Sequence, residues 1–89
     1  MIRYSKSYLN KLEDVLAETQ LTLRYEKGNF KSGYCVLKDA RVALVNKFYT
    51  LEGKVNALVD IIKLLDLDPE HLSEKNRKVL VEVLETPAS

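Results

Sequence analysis

Between Leu51 and Leu65 the apolar side chains refuse to keep to one narrow stripe. With each residue turned 100° from the last, Leu51, Val55, Leu58, Val59, Ile61, Ile62, Leu64 and Leu65 cover an arc of about 220°. Asn56, Asp60 and Lys63 fill the remainder. A helix apolar over so wide an arc has to be covered on two sides, so residues 51–65 predict a central helix with a sheet on one flank and another helix on the other. Thr50 is placed to cap it, and Glu52 falls where the helix dipole favours a negative charge.

The other elements follow from changes of period. Leu9, Leu12, Val15 and Leu16 recur at helical spacing against Lys11, Glu13, Asp14 and Glu18, giving an amphipathic helix over 6–18 capped by Ser5 or Ser7. From Thr19 to Tyr25 the period drops to two, with Leu21, Leu23 and Tyr25 on one side. Glu26 to Gly33 carries turn residues, Tyr34–Lys38 and Arg41–Asn46 read as strands, and Asp39-Ala40 suits a tight hairpin. The expected sheet is therefore an antiparallel three-stranded meander. Asp68-Pro69 signals a last helix running to about Glu85, stopped by Pro87.

With 89 residues, 46% of them hydrophobic and 30% charged, the chain makes a single α+β domain over 1–85, in the order α-β-β-β-α-α, with 86–89 as a disordered tail. The expected core is Leu12, Leu16, Leu21, Leu23, Val36, Val42, Leu44, Val55, Leu58, Val59, Ile62, Leu80 and Leu84.

Chemistry is sparse in this sequence. His71 and Cys35 are each the single residue of their type, short of the several ligands a zinc site needs. His71 reads as a solvated surface residue and Cys35 as a half-buried strand residue. Gly28 and Gly33 have the spacing of a phosphate-binding loop, but Tyr34-Cys35 stands where Lys and Ser/Thr are required. No serine lies in a nucleophile elbow, and neither Glu13-Asp14 nor Asp66 with Asp68 sits against an apolar pocket. No catalytic, cofactor-binding or metal-binding set emerges, and the reading is of a chain that is not an enzyme.

The formal charge of +1 is unevenly spread, since residues 24–54 carry seven cations and three anions while 55–89 carry four and seven. The asymmetry is read either as a basic sheet neutralised by an acidic tail or as a surface for an anionic partner. One cysteine, together with no apolar run behind the N-terminal charges, implies a cytoplasmic protein with no membrane segment. The most distinctive stretch runs from Arg24 to Cys35 and mixes three aromatics, three cations and two glycines. Those are the materials of a hairpin and also of single-strand nucleic-acid binding.

Three resemblances follow. The order of helix, three strands and helix resembles the double-stranded RNA-binding domain, but Leu51-Glu52-Gly53-Lys54 offers one lysine where that family has a basic cluster. Leu44-Val45-Asn46 at a strand end followed by Leu58-Val59 resembles the core of minimal zincin-type metallopeptidases. In that family an HExxH motif falls where this chain has Asp60-Ile61-Ile62-Lys63-Leu64, so the resemblance implies a catalytically inactive relative. The segments RYEKGNFKSGYC and ALVNKF also resemble short bacterial proteins, mainly from Bacteroidetes, and imply a bacterial cytoplasmic origin.

The functional expectation is a non-enzymatic protein-interaction module, with a homodimer through the last helix, marked by Val81, as one form of it. The alternative is a weak nucleic-acid or anion binder. The candidate surface residues are Arg24, Lys27, Phe30, Lys31, Lys47 and Val81.

Overall fold

The computed structural model describes residues 4–27 and 34–85. Helix α1 spans Lys6–Glu18, strands β1, β2 and β3 span Thr22–Glu26, Tyr34–Leu37 and Val42–Asn46, and helices α2 and α3 span Leu51–Leu65 and Glu74–Leu84. The element order is the expected one. Ser5 caps α1 by accepting the Tyr8 N–H at 3.1 Å, and Thr50 caps α2 by accepting the Gly53 N–H at 3.1 Å. A Cβ on Gly53 would come within 2.9 Å of the Tyr49 ring, so glycine lets the turn before α2 fold back on the helix.

The sheet corrects the meander. Its strand order is β1-β3-β2, with β1 parallel to β3 and β2 antiparallel to it. The physical reason lies in β3, whose residues Val42, Ala43, Leu44 and Val45 are apolar on both faces. A strand of that kind belongs in the middle of a sheet, with partners on both sides. The charged strand, with Arg24 and Glu26, is left at an edge. Edges separated by two strand spacings, about 10 Å, are within reach of the connection 27–33.

Helices α1, α2 and α3 share one core with Ala43 and Val45 of β3, against which Leu23, Tyr25, Tyr34 and Val36 also pack. Helix α2 is the central rod: Val55, Leu58, Ile61 and Ile62 are fully buried, and it contacts α1, α3 and β3. The two-sided cover implied by the sequence is therefore observed.

Three core assignments are corrected. Val42 and Leu44 point to the opposite side from Ala43 and Val45, since successive residues of a strand alternate. Leu84 is 55% exposed, because the buried face of α3 is Asn76, Val79, Leu80 and Val83. The Asp68-Pro69 signal also starts less than expected. It caps a single 3₁₀ turn over Pro69–His71, after which Leu72 enters the core and Ser73 starts α3 afresh.

Candidate interaction surface

Register decides which side chains share a face, because residues directly opposite one another in a ladder point the same way. The ladders set Leu23 and Val36 beside Ala43, and Tyr25 and Tyr34 beside Val45, on the helix side. They set Thr22 and Leu37 beside Val42, and Arg24 and Cys35 beside Leu44, on the other. Among the described residues no helix lies on that second face. Cys35, Val42 and Leu44 are half-buried there and Leu37 is 47% exposed. The result is an apolar stripe across two adjacent strands, on a face of roughly 14 by 17 Å for three strands of four or five residues.

The edges of this face differ. On β1 the Arg24 guanidinium and the Glu26 carboxylate are 2.8 Å apart, and both side chains are well exposed. On β2 the sequence Tyr34-Cys35-Val36-Leu37 carries no charge. Among the described strands β2 has only β3 beside it.

The parallel pairing has a local consequence at the end of the sheet. Glu26 is opposite Asn46, and the Lys47 N–H donates to the Glu26 carbonyl at 3.1 Å, so Lys27 and Lys47 emerge side by side. Phe48 follows and is 69% exposed. Its turn is held by Asn46, whose side-chain oxygen accepts the Phe48 N–H at 2.9 Å and whose carbonyl accepts the Tyr49 N–H at 3.1 Å. The Lys47 ammonium stands 5.2 Å from the Phe48 ring centre, and the Lys54 ammonium 5.3 Å from that of Tyr25.

Of the sequence-expected surface residues, the structure places Lys27 and Lys47 at one end of the sheet and Arg24 in the middle of the β1 edge. Phe30 and Lys31 lie outside the described residues, as do Gly28, Gly33 and the tail 86–89. Val81 is 48% exposed on α3, which packs on α1 and α2 and not with the basic group. Phe48 and Leu37 were not singled out in the sequence, and Val42 and Leu44 were expected in the core. A large aromatic between a strand end and a helix cap is the one sequence signal for Phe48. The stripe has no such signal until the strand order is known.

A cleft of about 460 Å³ lies where α1 ends and α2 gives way to the 3₁₀ turn. It collects three non-glycine residues with left-handed backbone, Gln20 at φ 66°, Arg41 at φ 53° and Asp66 at φ 49°. Each has a local cause. Gln20 follows the end of α1, Asp66 ends α2, and Arg41 closes the hairpin between β2 and β3. The polar groups here are engaged in holding the fold. Arg41 donates to the Thr19 carbonyl, Glu18 accepts the Ser73 N–H, and Asp68 accepts the Glu70 N–H. The hydrogen bond from Ser73 holds the Glu18 carboxyl below the usual range. His71 is exposed, 3.4 Å from Asp68.

Two tyrosines on the helix side are shifted in the opposite sense. Burial, with the Glu82 carboxylate beside it, pushes the Tyr8 phenol up to about 12. Burial and the hydrogen bond that Tyr25 donates to Glu13 push the Tyr25 phenol up as well. Among the described residues no three His, Cys, Asp or Glu side chains are grouped to hold a metal ion, and no helix is long and apolar enough to cross a membrane. In the segment Asp60–Leu64, Ile61 and Ile62 are fully buried in the core. Compared with known proteins, the chain matches no family model, no curated protein and no solved structure.

Proposed function

We propose that this chain is a non-enzymatic protein-interaction module that docks through the β2 edge and the open face of its sheet, with a second copy of the chain as the partner. The observation that supports the reading is the one-sided covering of the sheet: three helices on one face, and Cys35, Leu37, Val42 and Leu44 on the other. An unprotected edge strand is a template for another strand. The absence of charge on β2 makes it compatible with its own copy, because no like charges would be set opposite one another.

Antiparallel pairing about a twofold axis keeps the outer faces on one side, so Cys35 opposes an outer residue of the second copy. A dyad at Val36 sets Cys35 against Leu37 and joins the two apolar stripes. The shared area of so short a strand falls well below the roughly 800 Å² per partner of a stable complex, which makes the association a weak one.

Sedimentation velocity from about 5 to about 500 µM tests this, because self-association depends on concentration. The wild-type chain is expected to shift toward dimer. Leu37→Lys, which charges the edge, is expected to weaken the dimer about tenfold or more, and Val81→Asp to leave it unchanged. Loss of the dimer in Val81→Asp but not in Leu37→Lys would move the seam to α3, and a strict monomer throughout would remove the second copy as partner.

A further inference from the structure

We infer that the C-terminal ends of β1 and β3 form a contact site for single-stranded nucleic acid, in which Phe48 stacks on a base and Lys27 and Lys47 hold the flanking phosphates. The inference is separate from docking at β2 and rests on different residues.

Phe48 is the most exposed large hydrophobic side chain among the described residues, at 69%. Two hydrogen bonds to Asn46 hold the turn that displays it. An aromatic side chain this exposed meets the requirement for a stacking platform, since every base has a π face to offer. The cations are supplied by the fold. Parallel pairing makes Lys27 and Lys47 neighbours although twenty positions separate them in the chain. The segments 24–27 and 47–54 together carry four cations and two carboxylates, and one of those carboxylates, Glu26, is already tied to Arg24. The local field is thus positive where the aromatic stands.

The shape of the site selects a strand over a mononucleotide. The cleft beside Arg41 and Asp66 is not lined by Lys27, Lys47 or Phe48, nor is the one beside Lys11 and Glu82. A free nucleotide is bound in an enclosure that buries most of its surface. An open platform gains affinity only from a polymer that makes several weak contacts in series. The Lys47 ammonium, 5.2 Å from the Phe48 ring centre, sets a positive charge beside the aromatic.

The test is fluorescence anisotropy with a labelled single-stranded thymidine oligomer of about twelve nucleotides, titrated over a range of salt concentrations, beside thymidine monophosphate as competitor. Binding at low salt is expected, with log affinity falling against log salt at a slope of about −1.4 for two phosphate contacts. Phe48→Ala is expected to weaken binding about tenfold, and Lys27→Ala to flatten the slope by about 0.7. Both side chains are on the surface, and circular dichroism of each variant checks that the fold is kept. The monophosphate is expected to compete poorly. No binding at low salt would overturn the inference, as would binding that Phe48→Ala leaves unchanged, or efficient competition by the monophosphate.

Discussion

Val45 and Leu44 are consecutive in β3 and face opposite sides of the same sheet. Val45 is fully buried beneath the helices, whereas Leu44 stands with Cys35, Leu37 and Val42 on a face that no described helix covers. The two edges repeat the contrast, with Arg24 and Glu26 paired on β1 and no charge on β2. The difference separates two uses of apolar side chains. Those on the helix side hold the fold together. Those on the open side are covered by no described helix, and of the two described edges only that of β1 carries charged residues.

The comparison breaks most easily through truncation. Leu58→Ala and Leu16→Ala remove fully buried side chains and are expected to cost about 2 to 5 kcal/mol in urea unfolding. Leu44→Ala on the open face is expected to cost about 1 kcal/mol or less, since its side chain leaves little cavity behind. Equal losses at Leu44 and Leu58 would show that the open face is covered after all.

The helix side also carries the alkaline weakness. The folded Tyr8 phenol is raised from 10 to about 12, so its neutral form is favoured by folding. That contribution is complete below pH 10 and is lost as pH rises through about 12. Tyr25 is raised in the same direction and adds to the effect. Thermal melts from pH 8 upward are expected to show a falling midpoint above about pH 10, and Tyr8→Phe is expected to flatten that fall. An unchanged slope in Tyr8→Phe would mean that the phenol is not linked to folding.

Smaller effects belong to the connections and the charged edge. Gln20 has left-handed backbone where the chain passes from α1 into β1, so Gln20→Gly is expected to stabilise by about 0.5 to 1 kcal/mol. Arg24→Ala breaks an exposed ion pair and is expected to change stability by about 0.5 kcal/mol or less, in a thermal or urea melt. A large loss there would assign β1 a structural weight that its exposure does not suggest.

The sequence was readable where the signal was local. Period and capping placed α1 and α2, with Ser5 and Thr50 as caps, and the breadth of the apolar arc on α2 identified the central element. Pairing was not readable, because strand order depends on which distant segments meet. β3 illustrates the difficulty. Val42, Ala43, Leu44 and Val45 do not alternate in polarity, so nothing in the strand says which face goes inward. The choice falls to the smaller set, in which Ala43 lets α2 approach the sheet. The wrong order also hid how Lys27 and Lys47, both candidate surface residues, come together. In a meander Lys27 and Lys47 are on strands with β2 between them; in the observed sheet they are neighbours. Asp68-Pro69 misled for a related reason, since a good start signal ran into Leu72, which the core required, and a second cap at Ser73 was needed.

Amide hydrogen exchange at low and high protein concentration addresses the open side most directly. If β2 is the docking edge, amides within Cys35–Leu37 become slower to exchange as concentration rises, while those on the edge of β1 and along α3 keep their rates. Protection that grows on α3, or no change at β2 under conditions where the chain is dimeric, would contradict the account.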